Sequence, residues 1–188
     1  MPHVTNLLTS ALLALLTGSA CAATPSAAPE ALKPLLMTLN ERLNIGDLVA
    51  LTKWDSGKPI QDSPREAQVI ANARTLAAER KLDAEDVAQL IAAQMEANKL
   101  VQYGLLAQWQ AEGVAPDTAR PDLGKQIRPR LDELQSRLLQ QYADFAPYRR
   151  DPNCSSWLAE ARKGLAQDAL HELALMRGTG ELCVRAAR

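Results

Sequence analysis

Apolar and polar positions along most of the chain alternate with the period of an α-helix. Apolar residues recur every three to four positions, as expected for helices that bury one face. Runs of β-branched residues with a period of two are scarce, and Ala, Leu, Gln, Glu and Arg dominate. The pattern predicts an all-α fold, an elongated helical bundle of about six helices, over residues 29–54, 63–81, 83–111, 123–145, 154–167 and 168–177.

The junction between the first two predicted helices is sharply specified. Gly57 and Pro59 end the first helical pattern. Ser63 is expected to be the N-cap of the second helix, with Pro64 at N1 and Glu66 at N3, the spacing of a capping box. Arg65 then lies in the first turn, where the helix dipole favours anions over cations. A cation at that position is the first indication of an anion-binding site.

The chain of 188 residues fits one domain behind an export signal. Residues 1–22 are predicted to be a signal peptide, because residues 7–16 form an apolar stretch before a small-x-small cleavage site that ends at Ala22. Residues 23–188 would then be a single all-α domain in the periplasm or outside the cell. Cys21 leaves lipidation open as an alternative, although Gly18 stands where that motif usually has Leu.

Two cysteines, Cys154 and Cys183, remain after the leader. In an exported chain we expect them to form one disulfide, and two free thiols are the alternative. The net charge of −1 gives no reason to expect nucleic-acid binding, and no apolar run in the mature chain is long enough to span a membrane. His171 stands alone in the mature chain and is expected to be a surface or packing residue, so no metal site is predicted.

A set of cations and amides occupies helical positions beside apolar residues, which points to a binding site. Arginine side chains clamp carboxylates with two parallel hydrogen bonds, so such a set suits a small ligand with two carboxylates. The alternative is that each charge is simply a solvated surface residue. The set comprises Arg42, Lys53, Arg65, Asn98, Gln102 and Arg128.

Four segments of the chain resemble the secreted, gamma-type chorismate mutases of the AroQ class. They are Glu41-Arg42-Leu43, residues 49–54 (VALTKW), residues 59–66 (PIQDSPRE) and residues 97–102 (ANKLVQ). The resemblance runs through most of the mature chain and includes the terminal cysteine pair. It implies an all-α enzyme that rearranges chorismate to prephenate without a cofactor or a metal. It also suggests an active site within one chain, so that the homodimer we expect would be structural.

The resemblance also assigns roles to particular residues. Lys53 and Gln102 would face the ether oxygen from opposite sides, and Arg42 and Arg128 would bind the carboxylates. Catalytic roles are expected for Lys53, Arg65, Gln102 and Glu66, where Arg65 completes the cationic wall and Glu66 meets the substrate hydroxyl. Substrate-binding roles are expected for Arg42, Arg128, Asp62 and Asn98, where Asp62 orients the cations and Asn98 replaces a common Ser or Thr.

Two other functions fit the same residues. The chain could be a non-catalytic exported module that binds an anionic metabolite through the same arginines. It could also be an adaptor bundle whose charges are solvated and whose long helices pack against a partner. Turnover of chorismate separates the enzyme from both alternatives.

Overall fold

A computed structural model describes residues 26–184 of the chain, and within that range the fold is entirely helical. The prediction of an all-α bundle of about six helices is confirmed, whereas the predicted signal peptide lies outside the described residues. None of the described helices is both long and apolar enough to cross a membrane. The six α-helices are α1 (Leu32–Ser56), α2 (Ser63–Glu79), α3 (Ala84–Glu112), α4 (Arg128–Phe145), α5 (Cys154–Arg162) and α6 (Ala169–Gly178).

The long helix α3 lies at the centre and packs against α1, α2 and α6. Leu35 and Leu39 of α1 and Leu90 of α3 are fully buried in the main core, together with Leu138 and Tyr142 of α4. Burying an aliphatic side chain of this size stabilises the fold by about 1.5 to 3 kcal/mol. The periodic apolar stripes in the sequence therefore become the faces that meet between helices.

Gly46 and Gly178 let α3 approach its neighbours closely. A Cβ atom on Gly46 would lie 3.0 Å from Nδ2 of Asn98, so the missing side chain makes room for that amide between α1 and α3. A Cβ atom on Gly178 would lie 2.5 Å from Nε2 of Gln94, which donates a hydrogen bond to the Gly178 carbonyl at 2.7 Å. Both glycines therefore fix the distance between packed helices.

The start of α2 differs from the prediction by one residue. Asp62, and not Ser63, is the N-cap, and its carboxylate accepts a hydrogen bond from the backbone N–H of Arg65 at 3.3 Å. Glu66 is then at N4 and not at N3, but its Oε1 still accepts from the backbone N–H of Asp62 at 3.3 Å. Asp and Ser are both good N-cap residues, and the negative charge of Asp62 gives it the advantage at the positive end of the helix dipole.

The helix predicted over 123–145 begins as a π-helical turn at Leu123–Ile127, and the regular helix α4 starts only at Arg128, where Pro129 is tolerated in the first turn. The predicted helix over 154–167 was too long, since α5 ends at Arg162. Gly164 follows with a φ of +72°, a left-handed conformation that an α-helix cannot continue through.

The predicted disulfide is confirmed: Cys154 and Cys183 are bonded, with their Cα atoms 5.8 Å apart. Closing a loop of this length stabilises the fold by roughly 3 to 4 kcal/mol in the chain-entropy estimate. Arg149 fastens the same region, because its guanidinium donates to the carbonyls of Leu182 and Glu181 at 3.1 Å. The C-terminal segment is thus tied to the bundle twice.

His171 was expected to be either a surface residue or a packing residue, and the structure shows a packing residue. Its side chain is 1% exposed and joins α6 to α1. Nε2 lies 2.9 Å from Oδ1 of Asp47, and Nδ1 lies 2.9 Å from Oδ1 of Asp168. Burial opposes the charged imidazolium, but hydrogen bonds and charge from Asp168 and Asp47 outweigh it and raise the pKa of His171.

Candidate active site

A cavity of about 170 Å³ opens between α1, α2, α3 and the start of α4. It brings together all of the site residues predicted from the sequence, although they are spread over almost ninety positions. The eight are Arg42, Lys53, Asp62, Arg65, Glu66, Asn98, Gln102 and Arg128.

Arg42 is the most deeply buried cation of the cavity. It is 8% exposed, and its Nη1 donates to the carbonyl oxygen of Leu131 on α4 at 2.7 Å. Its Nε is buried without a hydrogen-bond partner among the described residues. Burial lowers the pKa of Arg42 to about 10, although the charge of Asp132 opposes the shift, so the side chain is still a cation at neutral pH. Its Nε–H is therefore a donor that no described residue uses.

Lys53 lies in the last turn of α1, on the same side of the helix as Arg42. Its Nζ donates to the carbonyl oxygen of Pro59 at 2.7 Å, in the loop that joins α1 to α2. An ammonium group has three N–H donors, so two remain for other partners. The Pro59 carbonyl therefore orients the ammonium group of Lys53 and leaves two of its N–H donors unused.

The first turn of α2 and the start of α4 contribute alternating charges. Arg65 donates from Nη1 to Oε1 of Gln68 at 3.0 Å, and its Nη2 lies 3.7 Å from Oδ1 of Asp132. A second pair joins the same two elements, because Nη2 of Arg128 lies 3.9 Å from Oδ2 of Asp62. Both ion pairs are long and partly exposed, so each contributes little to the stability of the fold. Their carboxylates lie beside the cations and reduce the repulsion between them.

The two amides of α3 form a short chain of hydrogen bonds that starts at the α1 backbone. Nδ2 of Asn98 donates to the carbonyl oxygen of Arg42 at 3.3 Å, and Oδ1 of Asn98 accepts from Nε2 of Gln102 at 2.7 Å. Gln102 is 4% exposed, and its Oε1 is buried without a partner among the described residues. Its Nε2 keeps a second N–H, so this amide can still donate to a ligand.

Five cations and three carboxylates line the cavity, which leaves a net charge of about two positive units. Four further polar residues line the cavity that the sequence pattern did not predict: Gln94, Lys99, Asp132 and Gln135. The last two lie four and seven positions after Arg128, and that helical spacing is a signal that could have identified them. The apolar part of the wall comprises Val49, Ile60, Val69, Met95, Leu123 and Leu131.

Comparison with known proteins gives consistent results. Residues 33–103 match the family model described as chorismate mutase type II. The chain is 30% identical over 184 residues to a secreted chorismate mutase of Mycolicibacterium smegmatis, a match that covers 94% of this chain and 99% of that protein. The crystal structure of a chorismate mutase from Burkholderia phymatum superposes with a TM-score of 0.81 at 45% identity and covers 83% of this chain and 98% of that one. A chorismate mutase from Burkholderia thailandensis gives a TM-score of 0.79 at 33% identity, with 82% of this chain and all of that chain covered.

Proposed function

The chain belongs to the chorismate mutase family, and we propose that it is an exported chorismate mutase whose active site is the cavity between α1, α2, α3 and α4. The observation that carries this proposal is the meeting of eight predicted residues in one cavity with a net positive charge. Chorismate carries two carboxylates, so its two negative charges are complementary to the net positive charge of the cavity. The single all-α domain over residues 23–188 would supply the whole site.

Binding selects the reactive shape of the substrate. The rearrangement is unimolecular and needs the two ends of chorismate to approach in a compact chair. In our proposal Arg42 clamps one carboxylate, using the buried Nε that has no partner among the described residues. Arg128, at the start of α4, binds the other carboxylate. Holding the reacting groups in this geometry removes much of the conformational part of the barrier.

Electrostatic stabilisation supplies the rest. Negative charge grows on the ether oxygen as the C–O bond breaks, and Lys53 and Gln102 would donate to that oxygen from opposite sides. Both groups are already oriented, Lys53 by the Pro59 carbonyl and Gln102 by Asn98. A well-placed donor in a site that excludes water contributes about 3 to 4 kcal/mol. No nucleophile or proton transfer is required for this reaction.

The remaining residues position the substrate and the cations. Glu66 would accept a hydrogen bond from the substrate hydroxyl, and Arg65 would complete the cationic wall. Asp62 would orient Arg128, which lies 3.9 Å away. Asn98 would contact a carboxylate or the hydroxyl besides holding Gln102.

Export is proposed from the leader and from the relatives. The apolar leader ends at a small-x-small site after Ala22, and the matching mycobacterial proteins are named secreted chorismate mutases. Cleavage after Ala22 and location in the periplasm or outside the cell would follow. A homodimer stays a prediction, in which each protomer keeps its own complete cavity.

The test is incubation of the purified mature protein with chorismate. We expect the diene absorbance of chorismate to disappear and prephenate to form in equal amount. Binding without turnover would favour a non-catalytic module for anionic metabolites, and neither binding nor turnover would favour an adaptor bundle. Expression of the full chain in a Gram-negative host should yield a product that begins at Ala23, and a cytoplasmic product with an intact leader would refute export.

A further inference from the structure

Lys99 is a partly buried cation to which the proposed mechanism assigns no role. Its side chain is 12% exposed and lies on α3, beside the pair formed by Asn98 and Gln102. The ammonium Nζ lies 2.7 Å from Oε1 of Glu96, 3.1 Å from Oε2 of Glu66 and 3.1 Å from Oε1 of Gln61. Its three donors therefore match three oxygens, one on each of three segments.

Glu66 is held by donors on both of its oxygens. Oε1 accepts from the backbone N–H of Asp62 at 3.3 Å, and Oε2 accepts from Lys99 at 3.1 Å and from Nε2 of Gln61 at 3.3 Å. Lys99 is the only cation among these donors. It fixes the rotation of the Glu66 carboxylate, and it ties both α2 and the α1–α2 loop to α3.

The charge of Lys99 also reduces the repulsion between Glu66 and an anionic substrate. An unpaired carboxylate in the cavity wall would repel a substrate that carries two negative charges. The repulsion would be stronger than in bulk water, because the effective dielectric constant inside a protein is lower. Lys99, at 3.1 Å, offsets the charge of Glu66, which can still accept a hydrogen bond. The second carboxylate beside Lys99, Glu96, is half-exposed, so solvent screens its charge. Burial opposes the charge on Lys99, but hydrogen bonds and charge from Glu96 and Glu66 outweigh it and raise the pKa of Lys99.

We propose that Lys99 is a positioning residue: it holds Glu66 and offsets its charge, so that this carboxylate can receive the substrate hydroxyl with less repulsion of the substrate carboxylates. The inference rests on the proposed function. Lys99 acts through Glu66 and not on the substrate, because its three N–H donors are aimed at protein oxygens. Arg42 is the opposite case, since its Nε is buried without a partner among the described residues.

A double-mutant cycle between Lys99 and Glu66 tests this role. We expect Lys99→Met to lower kcat/KM about tenfold or more, mostly through a higher KM, because the site then repels its substrate and Glu66 is misplaced. In a Glu66→Gln background, the same substitution should change kcat/KM by less than about twofold, since the group through which Lys99 acts is gone. Lys99→Arg should retain most of the activity because it keeps the cation.

Glu96→Gln is the matched control. It removes the other carboxylate partner of Lys99 on the solvent side, where Glu96 is half-exposed, and should leave kcat/KM within about twofold. Lys99→Gln is a second variant in case Lys99→Met does not fold, which circular dichroism would reveal. Equal losses from the Lys99 substitution in both backgrounds, or no loss with Glu66 intact, would overturn the positioning role.

The wild-type protein is measured in the same series, and this separates two kinds of failure. A wild type that does not convert chorismate refutes the proposed function, and the role of Lys99 falls with it. An active wild type whose Lys99 and Glu66 losses are additive refutes only the role of Lys99.

Discussion

Replacing Gln102 with Glu exchanges a permanent hydrogen-bond donor for one that donates only when protonated. Gln102 is 4% exposed, and its Nε2 lies 2.7 Å from Oδ1 of Asn98. An ionised carboxylate there would face that oxygen and could not donate to the ether oxygen. Loss of one such donor costs about 3 to 4 kcal/mol, or roughly 10²- to 10³-fold in kcat. Protonation should restore the donor, so Gln102→Glu should create a pH dependence.

The assay follows the loss of chorismate absorbance between pH 4.5 and pH 8. For Gln102→Glu we expect kcat within about tenfold of the wild type at the acid end, then a fall of about tenfold per pH unit. The wild type should stay active through neutral pH, because an amide needs no proton to donate. Gln102→Leu is the control and should be slow at every pH. A flat profile for Gln102→Glu, or a sharp loss of wild-type activity between pH 5 and pH 7, would refute this role.

The remaining predictions concern stability, measured by urea unfolding. Gly178→Ala should destabilise the fold by about 1 to 3 kcal/mol, because the new Cβ would lie 2.5 Å from Nε2 of Gln94. Gly180→Ala, whose Cβ would lie no closer than 3.5 Å to the nearest atom, is the control, and equal losses would contradict the packing argument. The raised pKa of His171 contributes stability that is complete below its unfolded value of 6.5 and is lost as the pH rises through the folded value. The stability difference between wild type and His171→Gln should therefore shrink from pH 5.5 to pH 8.5, and a constant or growing difference would show that the ion pairs do not contribute.

Helical periodicity and strong stop signals made most of the fold predictable. Gly57 and Pro59 correctly predicted the end of α1, and the run Asp62-Ser63-Pro64 predicted the start of α2. Asp62 and Ser63 could each have been the N-cap of α2. Local competition of this kind is decided by a small difference in capping energy, which a pattern does not resolve. The early end of α5 at Arg162 depended on a turn in which Lys163 is extended (ψ of 126°) and Gly164 is left-handed (φ of +72°).

The site was predictable where one sequence signal was unusual. Arg65 opposes its helix dipole, and Arg42 interrupts an apolar stripe, so both stood out from the pattern. Lys99 did not stand out, because a lysine on a helix is usually solvated and its burial depends on α2 and the α1–α2 loop. His171 and Asp47 are separated by 124 positions, and no local pattern predicts contact between them.

The most direct test of ether-oxygen stabilisation by this cavity compares kcat and KM of the wild type with those of Lys53→Ala over a range of chorismate concentrations. The charge of Lys53 matters most in the transition state, so kcat should fall by about 10²- to 10³-fold while KM changes by only a few fold. Arg42→Ala, which removes a carboxylate clamp, should raise KM strongly as well. If Lys53→Ala raises KM and leaves kcat unchanged, Lys53 is only a binding residue, and stabilisation of the ether oxygen by this cavity is contradicted.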